Sequence, residues 1–600
     1  MMAGRIGSLR QVFNGLVSDV RRQSPADVAL VGAWVAIAAA TVFFAIAIAY
    51  CGAVSAPYWD QWGFTDPDHY LAHLFDKHNE HPIVLGRILF ALDDRLFNAR
   101  GWFLQAASFA VLAIETVAFV ALGRFAGLRG RASLIILAAF AAAITFNGQN
   151  WENMVWGFQT PFLMAFSSTV VAVACMAAYA QHYDCRWFGG AFASTCVAIL
   201  SLSNGVFVPM LLTFMAWRIG ARPAIVVAFA ILSVAGWLFF LLVPGASPSL
   251  PGLSLEKIPD VVAYLFRYAG SLVGNTLMYL QTIGGPKLSP MLWGFVVGIF
   301  LVGGSLAAAG PMLFKKKPNA GALGLALLIV FAGMTAGITA LGRATFPPDQ
   351  ALSSRYGACS GLLMIALAAW TAAFLAPRLT PARRRAALAV GAVLAVIIPL
   401  CAPPLARNLT GQGRLRREAQ TAFVTGVPDA KSIGYISFNM IDSMAASQGL
   451  KARGKWMFED RWSRSVGTGI DVGAVQNQVC AGTFLLRDTE TVGEGFFRVG
   501  GLVDRKAASA AKLVVVVDST NQMVGYGLVP RRVSDIIPVT GSGATRLDWQ
   551  GHAWDTRRPP YTAYLASAKA LRCRIDAQLT PKTPAGHDGN LTASSPRITK

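Results

Sequence analysis

The chain reads as a polytopic α-helical membrane protein of about eleven transmembrane helices, followed by a C-terminal β-sandwich or jelly-roll domain outside the membrane. Three observations lead there. Hydrophobic residues make up 54% of the 600 and charged residues only 14%, against roughly 25% charged in soluble domains, and mean hydropathy is +0.49. Apolar stretches of membrane length recur as far as about residue 405. From about 425 to 578 the pattern changes to short β-branched and aromatic runs divided by turn residues. A chain so poor in charge cannot cover its surface for water, which excludes a cytosolic enzyme, a secreted domain and a disordered chain. The net charge of +21, from 52 Lys and Arg against 31 Asp and Glu, would suit nucleic acid in a soluble protein. Here it belongs to cytoplasmic loops beside anionic membrane lipid, and no nucleic-acid partner is expected.

Spans are expected near 28–51, 102–123, 132–146, 160–181, 223–243, 290–310, 321–341, 357–376 and 386–405, since roughly 20 residues cross the hydrocarbon. The first is too long for the apolar part of a signal peptide and reads as a retained anchor. Arg21 and Arg22 before it place the segment 1–27 in the cytoplasm. The stretch 188–217 is flanked by Arg186 on one side and by Arg218 and Arg222 on the other. Both ends therefore belong inside, and the chain turns back at Ser203-Asn204-Gly205 as two short helices or a re-entrant hairpin. The apolar stretch 258–283 reads as an interfacial or re-entrant helix, because counting it as a span would put Lys315, Lys316 and Lys317 outside. The N-terminus is then inside and the C-terminus outside, with 52–101, 147–159, 244–289, 342–356 and everything after about 406 external.

The domains follow: a membrane region over 28–405, a β-rich region over 406–579 and a tail over 580–600. Ile433–Phe438, Thr483–Leu486, Leu513–Val517 and Tyr561–Leu565 are the expected strands. Cys480 and Cys573 are the two cysteines of that region; they pair in an oxidising compartment or stay free and buried. The tail, rich in Pro, Thr and Ser, is expected to be disordered.

Candidate chemistry gathers in the external segments. The first carries Tyr58-Trp59-Asp60-Gln61-Trp62, and four of the seven histidines fall at 69, 73, 78 and 81. Asp60, between Trp59 and Trp62 at the interface, suits a general base acting on a hydroxyl, with loop anchoring as the plain alternative. His78, Glu80 and His81 form the set for an auxiliary role or a divalent cation such as zinc, manganese or magnesium. His69 and His73 read as a polar loop cap. The second segment, Asn147-Gly148-Gln149-Asn150-Trp151-Glu152-Asn153, ends in Trp156-Gly157-Phe158-Gln159. Its amides and rings are what a sugar asks for, namely paired hydrogen bonds and an apolar face to stack on; Asn150, Glu152 and Gln159, with Asn204 of the helix break and the two tryptophans, are the candidates, and an interfacial turn is the rival reading. Arg343 and Arg355-Tyr356 lie at the membrane's outer edge with no topological need for positive charge, which suits a lipid-linked phosphate held by guanidinium forks. Glu115, deep in the second span, is expected to make a structural hydrogen bond.

This order of features resembles the GT-C class of integral-membrane glycosyltransferases, which use polyprenyl-phosphate sugars as donors. The likeness covers about 28–405. It is carried by the architecture and by Tyr58-Trp59-Asp60-Gln61-Trp62, His78-Asn79-Glu80-His81, Ser203-Asn204-Gly205 and Ser354-Arg355-Tyr356. It implies Asp60 as the catalytic base of an inverting transfer to an acceptor hydroxyl of a glycan, lipid or protein. It further implies Arg343 and Arg355 on the departing polyprenyl phosphate, and a site on the outer face of a bacterial plasma membrane. Many members carry two adjacent acids where this chain has Asp60-Gln61, which leaves Glu80 or Glu152 for the second role. A transporter or flippase of lipid-linked glycans, or a receptor-like protein with an external β domain, are the readings from other classes.

Overall fold

A computed structural model of the chain describes residues 24–245, 255–281, 284–343, 346–487, 495–530 and 545–579. Arg21, Arg22 and the expected disordered tail lie outside the described residues. The chain divides into two compact units, one ending at Arg414 and one beginning at Leu415.

In the first unit, helix α1 (Pro25–Gly52) starts on a Ser24 cap whose Oγ accepts the Asp27 amide at 3.2 Å, with Pro25 at its first position. A surface turn follows over Trp59–Phe64, then α2 (Pro67–Ala72), a two-residue hairpin β1 (Lys77–His78) and β2 (His81–Pro82), and α3 (Val84–Phe97). The apolar runs then become α4 (Trp102–Phe125), α5 (Arg131–Thr145) and, after the short α6 (Trp151–Val155), α7 (Thr160–His182). Among the described residues nine helical stretches are long and apolar enough to cross a membrane, which establishes a membrane-embedded chain.

The stretch 188–217 is a pair of short helices, α8 (Cys185–Ser201) and α9 (Phe207–Arg218), with Leu202 extended between them. Gly205 is required at this break, since a Cβ there would stand 2.1 Å from the Ala198 carbonyl oxygen. After α10 (Pro223–Leu242), the stretch 258–283 forms α11 (Ile258–Ala269) and α12 (Ser271–Gln281), each too short to span alone. The remaining helices are α13 (Pro290–Phe314), α14 (Ala320–Arg343), α15 (Gly357–Phe374), α16 (Pro381–Ala395) and α17 (Ile397–Thr425). Asp27 at the start of α1 takes a bidentate pair from Arg385 at the start of α16, at 2.8 and 2.9 Å. The run 386–405 is thus not one isolated span. Helix begins at Pro381, is interrupted at Val396 and goes on to Thr425, beyond the point where Arg407 and Arg414 end the apolar pattern.

The second unit departs from the expected sandwich. Its first part is helical, with α18 (Ala430–Ile433), α19 (Met440–Arg453) and α20 (Arg461–Arg464). Ile433–Phe438 is therefore not a strand: Asp429 caps a helical turn there by accepting the Ser432 amide at 3.2 Å. Eight strands then build one sheet: β3 (Val479–Cys480), β4 (Leu485–Leu486), β5 (Phe496–Asp504), β6 (Leu513–Val517), β7 (Met523–Leu528), β8 (Arg546–Trp554), β9 (Tyr561–Ala566) and β10 (Leu571–Leu579). Their order is β3-β10-β9-β6-β7-β8-β5-β4. Residues 479–486 pair with β10 at one end and with β5 at the other. The sheet therefore curls into a half-barrel whose own concave face holds Phe497, Val499, Val514, Val516 and Trp549. A curled sheet covers its core without a second layer, which is why strand patterning alone suggested a sandwich. Cys480 and Cys573, 5.6 Å apart at Cα on neighbouring strands, are joined in a disulfide.

Candidate functional site

The expected residues of the membrane region lie in the first unit. Asp60 lies in the Trp59–Phe64 turn directly after Trp59, which holds a left-handed backbone (φ 49°) that a bulky side chain rarely adopts. Two bonds hold that conformation in place. Gln61 Oε1 accepts the Tyr58 amide at 3.1 Å, and the Trp156 indole donates to the Tyr58 carbonyl at 3.0 Å. Gln61 is thus a capping residue. Asp60 is half-exposed and accepts no hydrogen bond among the described residues, while its charge acts on His78. Trp62 sits half-buried in the same turn.

The β1–β2 hairpin turns on Asn79 (φ 53°) and sets His78 directly opposite His81. The His78 ring packs against Phe64 and Phe158 at 5.0 and 5.3 Å, and its buried Nε2 has no partner among the described residues. Burial pushes the His78 imidazole down and Arg87 adds to this, against the opposing charges of Asp60 and Glu80. His81 places Nδ1 2.5 Å from Ser203 Oγ in the α8–α9 break. Burial, with the charges of Arg343 and His78, pushes His81 down to about 4 against the pull of Glu80, so the ring is neutral at ordinary pH. Ser203, not the neighbouring Asn204, is the residue of that break which reaches the first loop.

Arg343, at the end of α14, lies over the Phe346 ring at 5.1 Å. Its charge and that of Arg355 both act on the Tyr264 hydroxyl of α11, which donates to Gln350 Oε1 at 3.3 Å. Arg355 lies over the Tyr356 ring at 5.4 Å, and that ring meets Tyr268 at 4.7 Å. Glu152 fixes the arginine's backbone. One carboxylate oxygen accepts Ser353 Oγ, Ser354 Oγ and the Arg355 amide at 3.1, 2.9 and 3.0 Å, and Asn153 donates to the Arg355 carbonyl at 3.1 Å. Charge acts from Asp60 and Glu80 on His78, from Glu80 and Arg343 on His81, and from Arg343 and Arg355 on Tyr264, while Glu152 bonds directly to the Arg355 amide.

Asn150 and Gln159 are only 3% and 2% exposed. They are interior amides of the turn whose Asn150 Oδ1 and Gln159 Oε1 are buried without partners among the described residues, and a Cβ on Gly357 would stand 1.9 Å from Asn150 Oδ1. His78 and His81 face each other across the hairpin that also carries Glu80. Among the described residues no three His, Cys, Asp or Glu side chains are placed to hold a metal ion, and His81 Nδ1 is taken by Ser203. The His69 and His73 rings lie 4.9 Å apart, tilted to each other, and His73 Nδ1 pairs with Asp76 at 2.8 Å, a surface cap. Glu115 accepts Ser167 Oγ at 2.8 Å in the interior.

Tyr264, Tyr268 and Ser203 were not singled out from the sequence. The i,i+4 spacing of the two tyrosines in 258–269 was the available signal. Ser203 offered only its place in a helix break. Compared with models of known protein families and with characterised proteins, the chain matches none.

Proposed function

We propose that the protein is an integral-membrane glycosyltransferase of GT-C-like organisation that moves a sugar from a polyprenyl-phosphate donor to an acceptor hydroxyl at the extracytoplasmic face. The observation that supports this reading is Tyr264: the charges of Arg343 and Arg355, separated in the chain by a short loop, both act on its hydroxyl, so two guanidinium groups are offered for a phosphate. Asp60, half-exposed and free of hydrogen bonds among the described residues, is the acid available for a proton.

In this mechanism the acceptor oxygen attacks the anomeric carbon as Asp60 takes its proton. The bond from that carbon to the phosphate oxygen breaks with inversion, and the electron pair leaves on the polyprenyl phosphate. Arg343 and Arg355 stabilise the charge that grows there, so the leaving group needs no acid. The nine long apolar stretches among the described residues support a multi-pass chain; counting the α8–α9 pair as two crossings, this reading has eleven, with the N-terminus in the cytoplasm. The Cys480–Cys573 disulfide accords with an oxidising, extracytoplasmic place for the second unit.

The test is transfer by purified full-length protein from a polyprenyl-phosphate sugar pool. Asp60→Asn lowers the rate at least ~100-fold with unchanged thermal unfolding; full activity in that variant removes Asp60 from the mechanism. Cysteine labelling at 315–317 and in the second unit reports opposite sides of the membrane; labelling from one side refutes the topology. A carrier of lipid-linked glycans moves its cargo across vesicles and retains that flux in Asp60→Asn.

A further inference from the structure

The break between α8 and α9 sets a serine against a histidine. Ser203 Oγ lies 2.5 Å from His81 Nδ1, across 122 residues of chain. Both partners sit on backbone with little freedom. Leu202 is extended, the Gly205 amide donates to the Leu202 carbonyl at 2.9 Å, and Gly205 closes on the Ala198 carbonyl where a Cβ would not fit. His81 stands opposite His78 in the β1–β2 hairpin, which the Lys77 amide ties to the Pro244 carbonyl at 2.8 Å, and its ring meets Phe162 edge-on at 5.7 Å. A hydroxyl and an imidazole nitrogen held within hydrogen-bond reach are the pair from which a serine nucleophile is made.

Two opposite charges act on the same ring. Glu80, the preceding residue, favours the imidazolium, and Arg343 at the end of α14 disfavours it. A carboxylate that stabilises the protonated ring is the third member a serine–histidine pair uses, and a cation alongside suits an oxyanion. Ser203, Asn204 and His81 are each half-buried rather than sealed, which leaves the hydroxyl open to a substrate. Glycosyl transfer as proposed above needs neither Ser203 nor His81.

We propose that Ser203 and His81 form a second catalytic site, which cleaves a carboxylic ester presented at the membrane boundary. Ser203 Oγ attacks the ester carbonyl carbon as its proton passes to His81 Nδ1, and Arg343 offsets the charge of the oxyanion that forms. Collapse breaks the bond to the alcohol oxygen, and the alcohol leaves with the proton from His81. Water then attacks the acyl-serine and gives a proton to His81. The bond from the acyl carbon to Oγ breaks, that proton returns to Ser203, and a carboxylic acid is released. The ester is carried either by an acyl lipid of the bilayer or by an O-acylated sugar.

The experiment uses full-length protein in nanodiscs of ether-linked phospholipid, which bring no ester of their own, and a fluorophosphonate that reacts with a serine activated by a base. In the unmodified chain the label maps to the peptide carrying Ser203, so the result does not depend on a variant that folds. Ser203→Ala loses the label, and His81→Asn slows labelling at least ~100-fold, the lower end of what a general base contributes. Excess diacyl phosphatidylglycerol or excess glucose pentaacetate slows labelling; competition by the first assigns the ester to a lipid and by the second to a sugar. No label on Ser203 in the unmodified chain, undiminished labelling in His81→Asn, or competition by neither ester overturns the proposal and leaves the Ser203–His81 bond a structural tie.

Discussion

Each unit holds a cluster of charged groups and histidine, and the two clusters are finished differently. In the second unit Asp429 accepts Arg498 Nε and Nη2 at 2.6 and 2.5 Å, His552 Nε2 at 2.8 Å and Ser432 Oγ at 2.6 Å. His552 Nδ1 meets Thr421 Oγ1 at 2.8 Å, and every side chain of the set is buried. Nothing there is left for a ligand, so the cluster serves the fold. In the first unit Asp60 is open and without a hydrogen bond among the described residues, and His78 Nε2 and both ends of the Gln149 amide are buried without partners. A polar group left unsatisfied costs about 1–3 kcal/mol. Such groups persist where a substrate, or water, completes them. The difference teaches that saturation, more than residue type, separates a structural cluster from a candidate site.

The largest effect that sharpens this contrast is on stability. Asp429→Asn removes the carboxylate between buried Arg498 and His552 and destabilises the second unit by about 3–5 kcal/mol, read by pulse proteolysis in urea; a change under 1 kcal/mol breaks the comparison. Its pH dependence follows in sign. Burial raises the Asp429 carboxyl, but Arg498, His552 and Ser432 outweigh this and hold it well below the usual carboxylate range. Its contribution is therefore complete above the ordinary carboxylate pKa of roughly 4 and declines as the pH falls below that.

The open cluster responds in rate and affinity instead. Arg355→Ala raises the donor KM about 10- to 100-fold, the cost of a charged hydrogen-bonding group, with little change in unfolding; a defect confined to the acceptor contradicts the phosphate role. Glu152→Gln, which leaves Arg355 in the chain but loosens its three-point hold, raises the donor KM about 3- to 10-fold; an effect as large as that of Arg355→Ala assigns Glu152 a direct part.

The smallest effect concerns His81. Burial first, then Arg343 and His78, lower its imidazole from the ordinary 6.5 to about 4, with Glu80 opposing. The unfolded chain binds this proton at higher pH than the folded one, so the contribution of His81 is full above about 6.5 and is lost as the pH falls toward about 4. Roughly 1–3 kcal/mol of pH-dependent stability is involved. His81→Asn flattens the fall of thermal unfolding over that window; an unchanged slope places the dependence on another group.

The membrane character and most helix positions could be read from the chain, because roughly 20 apolar residues are a local property of the sequence and need no partner to be recognised. The turn back at Ser203-Asn204-Gly205 was legible for the same reason, from arginines on both flanks. Asp60, Arg343 and Arg355 were picked out by residue type at the ends of apolar runs. The tertiary structure alone decided the rest. It brought Tyr264 under the charge of both arginines, tied His81 to Ser203 across 122 residues, buried Asn150 and Gln159, and curled eight strands into one sheet. These outcomes depend on which faces of distant segments meet and on whether a polar atom finds a partner. A linear pattern carries neither, because burial and saturation are properties of the packed neighbourhood.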